Sequence, residues 1–240
     1  MFELQTITYH TSTKKVLLHD LNLVIEPGQM TAIMGLNGSG KTTLLKVLSH
    51  ILKPTIGSVF YDTKNLQRFS TKELARHIAF VPQDFPTDFP FTVFEFVMMG
   101  RFPWQKSLFN QAADNKIVQA VLHDLELQDF ANRSIAHLSG GEKQRVLMAR
   151  ALAQQTPVIL LDEPLNHLDI KNKIGILKIL KKQNRKNQKT IIAVMHDLHD
   201  VKANFDHVIF LKNGTLAFQG DIASAFRHDL IQDVFEIDSW

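Results

Sequence analysis

The stretch that decides the fold is Met30-Thr31-Ala32-Ile33-Met34-Gly35-Leu36-Asn37-Gly38-Ser39-Gly40-Lys41-Thr42-Thr43. An apolar run ends at Gly35, a glycine-rich turn follows, and after Lys41 and Thr42 a helical stretch is expected from Thr43 to Leu52. This is strand, loop and helix with the spacing G-x-x-x-x-G-K-T. Backbone N–H groups of such a loop wrap a chain of phosphates, and Gly38 and Gly40 remove side chains that would block the approach. Lys41 can reach the outer phosphates, the Thr42 hydroxyl can hold Mg²⁺, and the helix start adds its positive end. The candidate phosphate-binding residues are therefore Gly35, Leu36, Asn37, Gly38, Ser39, Gly40, Lys41, Thr42 and Thr43. The motif alone does not separate an ATPase from a GTPase or a kinase.

The rest of the composition sets bounds. A chain of 240 residues with 45% apolar content suits one large domain, or a domain carrying an inserted subdomain. A net charge of +3 is too mild to argue for nucleic acid, and the one basic run, Lys171 to Lys189, reads as a solvated helix face and its following turn. Without cysteine there is neither a disulfide frame nor a thiol nucleophile. The first residues, Met-Phe-Glu-Leu-Gln-Thr, lack a basic region followed by an apolar core, so no signal peptide is expected. No stretch approaches the ~20 apolar residues that span a bilayer.

Outward from the loop, Phe2 to Tyr9 and Val16 to Ile25 read as strands. Lys53-Pro54 is expected to end the first helix. Gly57 to Tyr61 reads as a short strand, Ser70-x-x-Glu73 as a capping box opening a helix to about His77, and Ile78 to Pro82 as a strand. From Asp84 aromatic residues crowd together: Phe85, Phe89, Phe91, Phe94, Phe96, Phe102, Trp104 and Phe109. Helices are expected at 112–125, 140–153 and 177–183, and fully apolar strands at 158–161 and 191–195. Asn213-Gly214 between two apolar runs predicts a hairpin, and residues 222–235 read as helix. Strands alternating with helices imply a parallel α/β core. The stretch 84–155 reads as a helical insertion. The Asn213-Gly214 hairpin and the N-terminal strands read together as a smaller antiparallel layer.

Two further stretches carry chemistry. Val158-Ile-Leu-Leu-Asp162-Glu163 places two carboxylates at the carboxyl end of a buried strand, where open α/β sheets bind ligands. Asp162 can hold Mg²⁺ opposite Thr42, leaving Glu163 to orient or deprotonate a water. In Leu138-Ser139-Gly140-Gly141-Glu142, Ser139 and Glu142 form a capping box and two glycines bare the helix start. That makes a second anion site, separate from the first. One nucleotide does not need both, whereas a head-to-tail dimer does.

With these residues in place, nearly the whole chain resembles the nucleotide-binding subunits of ATP-binding cassette (ABC) transporters, with the motifs in family order. GLNGSGKT resembles the Walker A loop, LSGGE the signature motif and ILLDEP the Walker B strand with its catalytic glutamate, Glu163. Gln83 matches the Q-loop, Leu168-Asp169 the D-loop, His196 the switch histidine, and Tyr9 the aromatic residue placed against adenine, with Val16 as a further apolar contact. The resemblance implies an α/β fold: a P-loop NTPase core with a parallel sheet, an N-terminal antiparallel β layer and an inserted helical subdomain, in a single domain over residues 1–240. It implies ATP and Mg²⁺, with Gln83 near the metal, and Ser139, Gly140, Gly141 and Asp169 acting toward a second copy of the chain. The turn Asp62-Thr63-Lys64-Asn65 departs from the family, which commonly has a glycine after that acid.

Gly100-Arg101-Phe102-Pro103 and Glu-Pro-Leu-Asn-His-Leu-Asp resemble the subfamily serving importers of iron–siderophore complexes, haem and vitamin B12. The aromatic patch from Phe85 to Phe109 is then expected to receive a helix from a transmembrane permease subunit, with Phe and Met as anchors. A substrate-binding protein would be an indirect partner, and the place of work the cytoplasmic face of the cell membrane. Alternatives are zinc or manganese import, or a non-transport ABC ATPase. A kinase or GTPase would leave LSGGE unexplained, and no N-K-x-D base-reading motif is visible.

Overall fold

The computed structural model describes residues 1–83, 85, 90–105 and 111–237. Phe89 and Phe109 of the aromatic patch lie outside the described residues. In chain order the elements are β1 (Phe2–His10), β2 (Val16–Ile25), β3 (Met30–Met34), α1 (Lys41–Leu48), β4 (Ile56–Tyr61), β5 (Lys64–Asn65), α2 (Thr71–Leu74), β6 (Ile78–Val81) and α3 (Val93–Met98). They continue as α4 (Gln111–Asp124), α5 (Gly140–Ala153), β7 (Val158–Asp162), α6 (Ile170–Asn187), β8 (Thr190–Val194), α7 (Leu198–Asn204), β9 (His207–Lys212), β10 (Thr215–Asp221), α8 (Ile222–Ala225) and α9 (His228–Phe235).

The described strands form two sheets. One runs β2-β1-β4-β5 and is antiparallel; the other runs β10-β9-β3-β8-β7-β6 and is parallel except at its β10 edge. Strands β3, β7 and β8 are buried along their whole length, because each feeds two cores by alternation. Met30, Ala32, Met34, Ile159, Leu161, Ile191 and Ala193 face the core beneath α5 and α6. Ile33, Val158, Leu160, Ile192 and Val194 face the core shared with α1 and the antiparallel sheet.

Register places the chemistry. Val81 pairs with Leu161, Asp162 with Val194, and Ile33 with Val194. The carboxyl ends of β6, β7, β8 and β3 are therefore level, and Gln83, Glu163, His196 and Gly35 leave the sheet along one line.

Several expectations are corrected. The Asn213-Gly214 hairpin forms, but it belongs to the large sheet, where β9 runs parallel to β3. Helix α1 starts at Lys41 and ends at Leu48, well before Lys53, with His50 at φ 59 turning the chain out. Helix α6 extends beyond the apolar stretch 177–183 and, with its following turn, covers the run Lys171 to Lys189 read as a solvated helix face; Asp169 caps it through the Asn172 N–H. The tail is two helices broken at Phe226-Arg227. Helix α2 is one turn, with its capping box intact. Helices α3 and α7 have no counterpart among the expected elements; α3 opens on a capping box of Thr92 and Glu95 hidden among the aromatics.

The segment Gly100–Trp104 caps the far end of α5. A Cβ on Gly100 would stand 2.3 Å from Arg150 O, so only glycine lets the segment lie there. Arg101 Nη1 donates to Ala153 O at 2.7 Å, its Nε to Asp114 Oδ1 at 2.8 Å, and Trp104 Nε1 donates to Gln154 O at 2.6 Å. Orphan carbonyls at a helix end take such donors, and a cation there opposes the dipole favourably. Of the described aromatics, Phe96 is buried, Phe85 packs on it at 5.1 Å, and Phe91 and Phe94 pack against the core. Phe102, at 57% exposure, faces outward.

The turn that departs from the family is strained. Asp62 and Thr63 join β4 to β5 with φ of 46° and 68°, the two-residue turn that favours glycine at its second position. A β-branched residue in the left-handed region costs roughly 1–2 kcal/mol. Thr63→Gly, after the entropic cost of glycine, is expected to stabilise the chain by about 1 kcal/mol and raise Tm by roughly 2–4 °C in a thermal melt.

Candidate functional site

The loop between β3 and α1 is shaped by packing as much as by any ligand. A Cβ on Gly35 would stand 2.1 Å from Leu211 O, and one on Gly40 would stand 2.7 Å from both Leu17 O and Leu18 Cδ2. Gly40 is thus required by close approach to β2, a correction to its expected role of clearing the phosphate side. Gly38, at φ 80 with open space where a Cβ would be, is the glycine that leaves the loop's outer face bare. Leu36, Asn37 and Gly38 are exposed.

The loop fits a multi-oxygen anion. Ser39 is buried at 3% exposure, and its Oγ finds no partner among the described residues. Helix α1 has Gly40 at its N-cap and no side-chain cap, so its first-turn N–H groups, those of Thr42 and Thr43 among them, are open to an acceptor. Lys41 Nζ donates to Gly35 O and Leu36 O, each at 2.9 Å, which folds the ammonium back over the loop. Burial lowers the Lys41 pKa, while the charges of Glu163 and Asp162 oppose that shift.

Across from the loop, Thr42 Oγ1 donates to Asp162 Oδ1 at 2.9 Å. Burial drives the Asp162 carboxyl above its usual range; the Thr42 hydrogen bond opposes this and the neighbouring Glu163 charge adds to it. A hydroxyl and a carboxylate side by side at a strand end are the hard oxygen donors Mg²⁺ takes, together with phosphate oxygens.

Glu163 is the hub. Its Oε2 accepts from Gln83 Nε2 at 2.8 Å and from Asn166 Nδ2, and its Oε1 pairs with His196 Nε2 at 2.6 Å. Its backbone sits at φ 52, a left-handed conformation that turns the side chain out of the strand line. A cleft of about 290 Å³ adjoins it, lined by Asn166, Lys173, His196 and Asp200 among others. Three sequence candidates, Gln83, Glu163 and His196, thus meet in one cluster. Asn166 is not among the sequence candidates; its sequence signals are its place three residues past Glu163 and its presence in the Glu-Pro-Leu-Asn-His-Leu-Asp stretch.

Tyr9 and Val16 stand at the same end of the β1-β2 hairpin, where Tyr9 pairs with Leu18 and His10 with Val16. Tyr9 is half-buried against the second core and Val16 is exposed, and the next residue, Leu17, presses on Gly40. Ser139, Gly140, Gly141 and Asp169 lie elsewhere and share no hydrogen bond with the loop among the described residues. Ser139 and Glu142 form their capping box, with Glu142 Oε2 accepting from both Ser139 N and Ser139 Oγ at 2.7 Å. Gly140 faces open space, whereas Gly141 lies against Asn172. Asp169 accepts from the Asn172 N–H at 2.8 Å.

Residues 18–166 match the ABC transporter family. The chain belongs to the ABC transporter family. It is an ATP-binding ATPase of that family. The iron(3+)-hydroxamate import ATP-binding protein FhuC of Bacillus subtilis is 38% identical over 227 residues, spanning 94% of this chain and 84% of that protein. An ABC transporter of metal-chelate type, solved in an inward-facing conformation, superposes with a TM-score of 0.85 at 27% identity, over 98% of this chain and 89% of that one. A dimeric ATP-binding cassette in its post-hydrolysis state, bound to ADP and Pi, gives 0.82 at 33% identity, over 92% and 99%. No helix among the described residues of this ABC ATPase is long and apolar enough to cross a membrane.

Burial penalises the charged form of the Asp162 carboxyl, so the ABC ATPase gives up stability there. Asp162→Asn keeps an acceptor for Thr42 and removes the buried charge. It is expected to raise the nucleotide-free Tm by roughly 2–4 °C, equivalent to about 1 kcal/mol, and to abolish the extra stabilisation that Mg²⁺ adds to ATP. Differential scanning fluorimetry with and without MgATP measures both.

Proposed function

We propose that two copies of this chain sandwich two ATP molecules head to tail and power an importer of metal chelates of the iron–siderophore, haem or cobalamin kind. The observation that carries the ATP-driven part is the cluster of Gln83, Asn166 and His196 on the Glu163 carboxylate, level with the phosphate loop. The kinship with the hydroxamate-import protein and the metal-chelate transporter supports the cargo class. The dimeric cassette supports the pairing.

In this reading the orphan Ser39 hydroxyl and the uncapped α1 start bind phosphate oxygens, and Lys41 exchanges the Gly35 and Leu36 carbonyls for the outer phosphates. Tyr9 stacks on adenine with Val16 at its edge. Thr42 and Asp162 would hold Mg²⁺, which would neutralise charge on the outer phosphates. Glu163, released from its three donors, takes a proton from the attacking water. His196 and Gln83 orient that water and the γ-phosphate. The partner's copy of the helix start at positions 139–141 closes over the same nucleotide, and Asp169 braces the contact. Gln83 leads straight into the aromatic insertion, so the state of Glu163 is tied to the surface that meets the permease. A binding protein delivers cargo on the far side, and the ATPase works peripherally on the cytoplasmic membrane face.

Glu163→Gln is expected to lower hydrolysis by ~10²–10⁴-fold while ATP binding is kept. Light scattering on that variant with saturating MgATP should find dimers; unchanged turnover removes Glu163 from the role of base. Phe102→Ser should leave hydrolysis by the isolated chain unaltered and reduce co-purification of membrane subunits from native cells. Equal recovery of those subunits would move the docking site away from Phe102.

A further inference from the structure

We propose that Asn172 is a positioning residue that holds the helix start Ser139–Gly141 and the Asp169 loop as one rigid unit. Asn172 sits in the first turn of α6 and joins three elements through one amide. Its backbone N–H donates to Asp169 Oδ1 at 2.8 Å and its Nδ2 to Asp169 Oδ2 at 3.0 Å. Its Oδ1 accepts from Arg145 Nη1 of α5 at 3.1 Å. A Cβ on Gly141 would stand 2.7 Å from Asn172 Nδ2 and 3.0 Å from its Cγ, so the amide lies flat on the bare first turn of α5. Arg145 Nε is buried without a partner among the described residues, which leaves Asn172 as the guanidinium's hydrogen-bonded neighbour there.

The chemistry of the position suits an amide. One side of Asn172 meets a carboxylate and needs donors; the other meets a guanidinium and needs an acceptor. An amide supplies both from one short side chain, whereas a carboxylate would be acceptor-only against Asp169 and an alanine would leave both neighbours short. Gly141 is then explained from within the chain: it makes room for Asn172. Gly140, with nothing within 4 Å of its missing Cβ, keeps the outward face.

The inference rests on the two-chain reading above, in which the Ser139–Gly141 turn closes over the partner's nucleotide and Asp169 braces the contact between the copies. A turn that meets the phosphate and a brace that sets the contact between the copies have to keep their spacing, and a displacement of about 1 Å in a positioning element can cost ~10²-fold in rate. Asn172 touches neither the phosphate loop nor Glu163, so it acts on turnover through the partner's site.

The test uses the full chain and MgATP. Asn172→Ala should lower kcat by roughly 10-fold, with the affinity of dilute, unpaired chains for a fluorescent ATP analogue unchanged, because the Lys41 half-site is untouched. Asn172→Asp, which keeps the shape and sets a carboxylate against Asp169, should lose kcat likewise. In a cycle with Arg145→Ala the two losses should overlap, the second substitution adding less than about two-fold. A parent-like kcat in either Asn172 variant, losses that multiply in the double variant, or weakened nucleotide binding by the unpaired chain would each overturn the proposal. Turnover per parent chain should rise with chain concentration. A flat dependence overturns the two-chain reading itself, whereas a rising one with unimpaired Asn172 variants overturns this inference alone.

Discussion

A carboxylate at the end of a buried strand has to be satisfied by something, and at Glu163 the partners come from separate segments. Gln83 arrives from the end of β6, His196 from the end of β8, and Asn166 from the turn before α6. Those segments reach the same carboxylate because the parallel register makes the strand ends level. A slip of one residue in any pairing would turn the alternating side chains of that strand to the wrong core and move its terminal residue off the line. The two cores therefore fix the site, and the site needs no scaffold of its own.

The same economy governs the insertion. Gly100, Arg101 and Trp104 fasten the aromatic segment onto the last turn of α5, and Gln154 in turn donates to Ile78 O at 3.0 Å, on the strand that leads to Gln83. The first turn of α5 carries Ser139, Gly140 and Gly141. One helix thus links the outward-facing Phe102 segment at its far end to the Ser139–Gly141 turn at its start. Arg101 and Asp114 form a buried pair with 7% and 10% side-chain exposure, and a buried ion pair gives geometric specificity more dependably than net stability.

How much of this could be read from residues follows from the range of the forces involved. The phosphate loop, the capping boxes at Ser70 and Ser139, and the apolar strands 158–161 and 191–195 are local patterns, and local patterns are legible. Helix α3 is hidden because its capping box, Thr92 and Glu95, sits among aromatics that imitate a strand-like or irregular segment. The extent of α6 is legible in the charge of its solvated face, Lys171 to Lys189, whereas its apolar period marks only 177–183. The hairpin's place in the large sheet depends on β9 pairing with β3, a contact between distant parts of the chain that no local signal encodes. The family resemblance names Gln83, Glu163 and His196, but it does not reveal that they bond to one another, nor that Asn166 joins them. Gly40 and Gly141 read as ligand-facing, yet neighbouring chain, Leu17 in one case and Asn172 in the other, fills the space.

Most of the groups that would handle the nucleotide are, in this resting form, satisfied by each other: Lys41 by loop carbonyls, Thr42 by Asp162, and Glu163 by three donors. Among the described residues, Ser39 Oγ and the uncapped start of α1 are exceptions. Internal pairing lowers the cost of keeping polar groups in a poorly solvated cleft, but it must be undone before chemistry, so it sets a threshold that phosphate contacts have to exceed. The threshold differs along the line of residues. Lys41 and Thr42 exchange one oxygen partner for another, which is close to an even trade. Glu163, if it is the base proposed above, gives up charge-stabilising donors as it takes a proton, which is a cost and not an exchange. On the proposed function, binding within one chain is therefore the easy step and hydrolysis the restrained one, the order of events a motor requires if it is to close around its fuel before consuming it.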